Sequence, residues 1–447
     1  MKKTIFTALA LLQLLFIAGC GGTAVSGNPD IVLIIIDSMR SDHMSMNGYG
    51  RETTPVMDSL AANGTTWTRA QAQSCWTLPS IASTLTGLPQ RSHGAGFADG
   101  QVFGIDQALP TLPLLLKRSA RYQTAAFFNS AIIGEELGFQ GGFDFFDCRG
   151  FLGKDGIRDA GMTVDDFLKW YDSGRDPNHP LFVALHFFDP HLPYSPPPPY
   201  ASLFGDPKAD PLFNPFWGSR YQVDGINRGS VHMSDNQLEI MVALYDGELA
   251  FTDRQIGRLI SGLADRGTLY NTVFVVIGSQ GEELLDHGGF GHGHTLYQEL
   301  LDVPMIISGR GIPISVRNDV AAQIDILPTL LGLAEVEKPI WAEGRNLMAG
   351  DSVLIQRYVP SSNLVWADQD LLTLRFENRL VIGNPGDMEA VLFDLDADPD
   401  QLDPMLPSRD SKDQLYYFWS IPPRGNPRSA GIMDGTAGML RDLGYVR

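Results

Sequence analysis

The chain has 447 residues, 44% of them hydrophobic, and carries 33 Lys and Arg against 52 Asp and Glu, a net charge of −19. That length suits one large α/β domain plus a smaller one, with a sizeable core. The charge excludes nucleic-acid binding by bulk electrostatics, and any anionic ligand must meet a locally positive pocket.

Lys2 and Lys3 precede an uncharged apolar run from Ile5 to Ala18, too short for an ordinary spanning helix. The run ends in Ile17-Ala18-Gly19-Cys20, which resembles a bacterial lipobox. The resemblance implies a signal peptide over residues 1–19, lipid on Cys20, and a linker over 20–28 that tethers a folded domain to a membrane surface. Gly21 gives no aspartate-type retention signal, so the outer membrane is expected in a cell with two. Two further cysteines, Cys75 and Cys148, can pair in an exported protein but define no framework.

Ile31 to Ile36 is a continuous β-branched and leucine run, the mark of a strand buried on both faces. Asp37 follows at once, where open α/β sheets gather functional residues. Met57 to Ala62 reads as helical. Trp76-Thr77-Leu78-Pro79-Ser80 through Gly87 reads as a loop turning into a helix, with Ile81, Ala82 and Leu85 as its buried stripe. Thr77 is expected just before that N-terminus, where partial positive charge favours an anion or developing oxyanion. Its hydroxyl is either a nucleophile awaiting activation or an ordinary cap.

Further on, Leu112 to Ser119 reads as a helix, Thr124 to Phe128 as a strand, Gly138 to Phe146 as a loop, and Val164 to Tyr171 as an amphipathic helix. Leu181 to Phe187 is an apolar strand leading into His186-Phe187-Phe188-Asp189-Pro190-His191. A Pro-, Phe- and Asp-rich insert runs to about Asp235, and Gln237 to Gly262 keeps helical periodicity. Val273 to Ile277 is a strand entering Gly278-Ser279-Gln280-Gly281-Glu282-Glu283, and Val303 to Ile307 is another. Strands alternating with helices indicate a doubly wound, mostly parallel sheet. Leu371 to Ile382 and Ala390 to Leu395 supply an antiparallel sheet in a smaller C-terminal subdomain. The expected boundaries are 29–333 and 334–447.

Four clusters, in order, resemble the sulfatase family of the alkaline phosphatase superfamily. They are Asp37-Ser38-Met39-Arg40-Ser41-Asp42-His43 with Thr53-Thr54-Pro55; Thr77-Leu78-Pro79-Ser80 through Gly87 with His93-Gly94; His186 to Tyr194; and Tyr245 to Asp253 with Gly281-Glu282-Glu283 and Gly291-His292-Gly293-His294. Asp325 to Leu331, Phe393 to Pro399 and Leu443-Gly444-Tyr445-Val446 agree. The resemblance implies a divalent cation (Ca, Mg or Mn) at the carboxyl edge of the sheet and an activated nucleophile attacking a sulfate or phosphate ester. By position Asp37 matches the first metal ligand and Ser279 and Gln280 the second ligand pair. Thr77 matches the nucleophile, and His191 and His292 match anion-contacting residues. Expected partners are a sulfated or phosphorylated glycan or envelope component, and the membrane through the lipid anchor.

The departures bear on activity. Formylglycine is made from Cys or Ser in Cys/Ser-x-Pro-x-Arg, and here Thr77 and Ile81 stand at the Cys/Ser and Arg positions, so no formylglycine is expected. Thr at the nucleophile resembles phosphodiesterase and phosphotransferase branches of the superfamily, but those keep an Asp-His pair where this chain has Ser279-Gln280. A hard divalent ion prefers several carboxylates, and only Asp37 is anionic among the matched ligands. The Lys-x-His pair of arylsulfatases has no match in Phe127-Phe128-Asn129-Ser130. A weak or lost sulfatase site and a Thr-based phosphoester hydrolase both remain open. In the bland reading, Glu282 and Glu283 are helix-start acids, Asp325 is a helix cap, and His287 and His294 are structural or solvent-exposed.

Overall fold

The computed structural model describes residues 27–98, 101–148, 158–210, 220–350, 357–363, 370–384, 386 and 389–421. Cys20 and the Leu443–Val446 motif lie outside the described residues.

The core is an eight-stranded sheet of β1 (Asp30–Ile36), β2 (Gly64–Trp67), β3 (Gln123–Phe127), β4 (Phe145–Asp147), β5 (Leu181–Phe187), β6 (Thr272–Gly278), β7 (Met305–Gly309) and β8 (Ser315–Arg317). Its spatial order is β8-β2-β7-β6-β1-β5-β3-β4. Side chains alternate between the two faces of a strand, and both faces of β1 are covered. Ile31, Leu33 and Ile35 enter one apolar core, while Val32, Ile34 and Ile36 enter the other.

Helices cover both faces. On the first lie α2 (Thr77–Thr86), α3 (Leu112–Ala120) and α6 (Ile326–Leu333), through residues such as Leu78, Ile81, Leu116 and Leu330. On the second lie α1 (Pro55–Ala62), α4 (Ala160–Gly174) and the long α5 (Asp235–Asp265), through Leu60, Phe167, Leu249 and Ile256. A reciprocal capping box between Ser234 and Gln237 starts α5. This is the doubly wound arrangement that the alternating pattern implies.

One detail differs from expectation: the Gly- and Phe-rich loop ends in an edge strand, β4, paired parallel to β3. The sheet is mostly parallel, as expected, with one exception: β7 runs antiparallel to both β6 and β2. Residues 279–304 carry only a short ribbon (Glu283–Leu284 with Phe290–Gly291) and one helical turn (Gln298–Leu301). The chain therefore re-enters the sheet from the edge at which it left, and must run the other way.

The C-terminal part forms a four-stranded antiparallel sheet of β9 (Val359–Asn363), β10 (Leu371–Phe376), β11 (Arg379–Asn384) and β12 (Glu389–Asp394). Helix α7 (Arg409–Ser420) packs Leu415 against Leu372, Leu374 and Val381. Backbone and hydroxyl bonds join this sheet to the large domain, including Ser362 N to Gln73 O at 3.0 Å and Ser74 Oγ to Ser362 O at 2.7 Å. Cys75 and Cys148 are both free thiols. Among the described residues no helix is long and apolar enough to cross a membrane.

Candidate active site

The candidate site lies at the carboxyl ends of β5, β1 and β6. In the register, Ile36 faces Phe187 on one side and Gly278 on the other. The ladder continues one step past the strands: Asp37 N donates to Phe187 O at 3.0 Å, and Ser279 N to Ile36 O at 2.9 Å. Asp37 and Ser279 thus emerge side by side. The next residue, Ser38, takes a left-handed backbone with φ of 49°, a conformation that costs a non-glycine residue energy. Tyr245 on α5 holds this turn, donating its hydroxyl to Ser38 O at 2.8 Å and accepting from Arg40 N at 3.0 Å.

Asp37 is fully buried, and its carboxylate is surrounded by donors. Oδ1 accepts from Ser279 Oγ at 2.6 Å, Gln280 Nε2 at 2.8 Å and Thr77 Oγ1 at 2.9 Å. Oδ2 lies 3.1 Å from Thr77 Oγ1 and 3.4 Å from His186 Nε2. Burial pushes this carboxyl up, but His186, His191 and the Ser279 hydroxyl outweigh it and hold it well below the usual carboxylate range.

Thr77 is not a cap. Trp76 occupies the N-cap of α2 without a side-chain cap bond, and Thr77 is the first helical residue, its hydroxyl turned to Asp37. Ser80 does not cap either, since its hydroxyl donates to Ser74 O at 3.0 Å.

His191 and His292 meet edge to face, their ring centroids 4.8 Å apart. His191 Nδ1 donates to Leu192 O at 2.6 Å, and its ring stacks on Phe188. Burial and the neighbouring His292 push His191 down, so its neutral form is favoured. His292 differs because its Nδ1 is 3.2 Å from Glu282 Oε2 and 3.4 Å from Ser38 Oγ. Burial works against its charge, yet Glu282 and Asp37 hold its pKa above the ordinary 6.5.

The structure therefore brings together Asp37, Thr77, Ser279 and Gln280, with His191 and His292 beside one another. It adds two residues to which the sequence reading gave no part in the site. His186 is fully buried at the penultimate position of β5, and the signal was a lone imidazole inside an otherwise apolar strand. Glu282 is fully buried against His292 rather than starting a helix. Glu283 likewise lies in a ribbon strand, bonded to His294 Nε2 at 2.6 Å. Asp325 stands at the N-cap position of α6, as read, but its carboxylate makes no cap bond to that helix; it receives Arg357 at 2.6 Å on both oxygens and the Arg345 and Ala322 backbone. At the Lys-x-His position, the amide of Asn129 is taken by Thr163 and Arg158, each at 2.6 Å.

The fit of this edge to a divalent cation can be tested on its donors. One carboxylate stands with two hydroxyls, Ser38 and Ser279, and one amide, Gln280. Gln280 presents its NH2 to Asp37, and its Oε1 is buried without a hydrogen-bond partner among the described residues. A hard cation requires oxygen lone pairs and several negative charges, whereas here proton donors fill one carboxylate. The set does not fit. Elsewhere, Glu283, His287 and Glu299 bring ligand atoms within 4.8 Å of one another, a group that could hold a metal. Its atoms are already engaged: His287 Nδ1 faces Glu299 at 2.7 Å, and Glu283 Oε1 accepts from the Gly289 and His287 backbone. Glu299 and His287 border an acidic cavity of about 470 Å³ with Asp42, Asp286 and Asp302.

Comparison with known proteins agrees with this architecture. A sulfatase family profile matches residues 29–336. An arylsulfatase of Clostridium perfringens is 25% identical, over 88% of this chain and 93% of its own. An N-acetylglucosamine-6-O-sulfatase of Bacteroides thetaiotaomicron is also 25% identical, over 78% of this chain and 75% of its own. A solved structure in complex with its substrate D-glucosamine-2-N,6-O-disulfate superposes with a TM-score of 0.72 at 19% identity, covering 88% of this chain and 97% of that one. The phosphonate monoester hydrolase of Agrobacterium radiobacter gives 0.68 at 19% identity, covering 88% and 94%. The strand-edge arrangement and the profile match, over well more than half of the chain, lead to one conclusion: this chain belongs to the sulfatase family, within the alkaline phosphatase superfamily.

Proposed function

We propose that this protein is a lipid-anchored, sulfatase-like receptor of the bacterial cell envelope. Its cleft binds a sulfate or phosphate ester on a glycan and hydrolyses it weakly or not at all. The observation that carries this reading is the Asp37 carboxylate, engaged by Thr77, Ser279 and Gln280 together. A threonine hydroxyl becomes a useful nucleophile only when its proton is withdrawn. Here the acceptor of that proton is a carboxylate held well below the usual range, a poor base at neutral pH. Recognition needs less. The first turn of α2 offers a positive helix end, and His292, whose charged form Glu282 favours, stands beside Ser38. The sulfated glycan is suggested by a relative named N-acetylglucosamine-6-O-sulfatase and by a structural neighbour whose substrate is D-glucosamine-2-N,6-O-disulfate.

A second reading has a specific observation behind it. Thr77 sits at a helix start within hydrogen-bonding distance of a carboxylate, which is also the placement of an attacking hydroxyl. That reading is a Thr-nucleophile phosphodiesterase or phosphotransferase. Purified mature protein and its Thr77→Ala variant, assayed with aryl sulfate and phosphodiester substrates with added Mn²⁺, Ca²⁺ or Zn²⁺, separate the two. The receptor reading expects binding of a 6-O-sulfated glucosamine oligosaccharide with turnover that is weak or absent. Robust wild-type turnover that disappears in Thr77→Ala establishes the hydrolase instead.

A further inference from the structure

We infer that Ser279 and Gln280 stand in for a divalent cation: their N–H and O–H donors satisfy the Asp37 carboxylate from within, so this strand edge is complete without metal. The inference deepens the receptor reading of the same site, and it stands on the donor chemistry.

Three independent segments converge on one carboxylate: the end of β1 supplies Asp37, the end of β6 supplies Ser279 and Gln280, and the start of α2 supplies Thr77. A cation at such an edge would tie the same segments together by drawing on their oxygen lone pairs. In this chain the tie is made by protons. Ser279 Oγ at 2.6 Å and Gln280 Nε2 at 2.8 Å both address Oδ1, and Gln280 Nε2 also lies 3.4 Å from Thr77 Oγ1. Hydrogen bonds to an ionised acceptor are the strong kind. All four side chains are fully buried, so no solvent competes for the carboxylate.

The charge count agrees. A divalent ion on Asp37 alone leaves a net positive charge in a buried site. Asp37 with neutral donors leaves the single negative charge that His186, 3.4 Å away, and the nearby His191 and His292 rings face. Gln280 is the telling residue. If its oxygen turned to a cation, its NH2 would lose Asp37; as it stands the NH2 is used and the oxygen is the atom left over.

The test measures metal and stability, not activity. Purified wild-type protein, dialysed against Ca²⁺, Mg²⁺ or Mn²⁺ and then desalted, is expected to retain far less than one equivalent at this edge by elemental analysis. Because the Glu283, His287 and Glu299 group could bind metal on its own, the same measurement is made on His287→Ala. The thermal midpoint is expected to move by less than about 1 °C between EDTA and millimolar cation, since a ligand that does not bind gives no mass-action stabilisation. The double variant Ser279→Asp with Gln280→His is expected to melt lower in EDTA and to regain several degrees with cation. If that variant does not fold, Gln280→Leu serves instead: its midpoint is expected to fall below wild type and to stay insensitive to cation. Near-stoichiometric metal in both wild type and His287→Ala, removed by EDTA with a falling midpoint, overturns the inference. Glycan binding is read separately, so either conclusion can fail without the other.

Discussion

Thr77 gives its hydroxyl hydrogen to Asp37, lying 2.9 Å from one carboxylate oxygen and 3.1 Å from the other. The bond links the first residue of a helix to the residue that follows the central strand, so it is structural whatever else it does. Thr77→Val keeps the shape and removes the donor. Loss of one partner from a buried charged acceptor costs about 1–3 kcal/mol, so chemical denaturation should show a destabilisation of that size. Thr77→Ser, which keeps the hydroxyl, should recover most of it. A Thr77→Val protein as stable as wild type would remove this bond from the account.

Asp37 itself should matter more. Its folded pKa is depressed, so its contribution to stability is fully present above the ordinary carboxylate value and is lost as pH falls through the folded value. Between neutral pH and about pH 4, its contribution should therefore not change. Asp37→Asn presents an amide to a ring of donors and leaves several unsatisfied. The expected cost is about 3–5 kcal/mol, the scale of breaking a buried charged network, visible as a lowered denaturation midpoint at pH 7 that converges on wild type only in strong acid.

His292 has the opposite sign. Burial opposes its charge, but Glu282 and Asp37 hold its folded pKa above 6.5. A raised folded pKa contributes stability that is fully present below the unfolded value and is lost as pH rises through the folded one. Affinity for a sulfated ligand that needs the imidazolium should fall over the same rise. Glu282→Gln should move the imidazole titration, followed by NMR, to lower pH and shift the binding profile with it. An unshifted His292 titration in that variant would separate the two residues.

Much of this site was legible in the sequence because strand ends are legible. The apolar run Ile31 to Ile36 fixes Asp37 at an edge, and the run ending at Gly278 fixes Ser279 and Gln280 beside it. What escaped were long-range partners. Nothing local in Glu282 announces that His292, ten residues on, returns across a two-residue ribbon to meet it. Thr77 read as a neighbour of the cap because capping is a local habit of Thr, whereas its partner Asp37 lies 40 residues away. The antiparallel β7 escaped for a similar reason: direction follows from the path of the connection, not from the strand's own residues.

Anchoring rests on the lipobox resemblance at Cys20, which lies outside the described residues. Cys20→Ser should release the protein to the soluble fraction, read by fractionation and by loss of the acyl mass. Unchanged membrane association of that variant would count against lipid on Cys20.

The last prediction concerns the charge of the ligand. Without a divalent ion, the positive charge available to an incoming anion comes from the first turn of α2 and from His292, and Asp37 keeps its own negative charge close by. A helix end contributes about half a charge, and His292 is itself shared with Glu282. Such a cleft can balance at most about one negative charge, not two. A sulfate monoester carries one, as does a phosphodiester, while a phosphate monoester carries close to two at neutral pH. The expected order is therefore sulfate ester above phosphate monoester on the same glucosamine oligosaccharide, by tenfold or more, about 1.4 kcal/mol. Calorimetric titration of the matched 6-O-sulfate and 6-O-phosphate at pH 7.5 measures it directly. Lowering the pH to about 5.5 protonates the phosphate toward a monoanion and should narrow the gap, while the sulfate ester keeps its charge. A phosphate monoester that binds as tightly as the sulfate at pH 7.5 would mean that the cleft holds more positive charge than α2 and His292 supply.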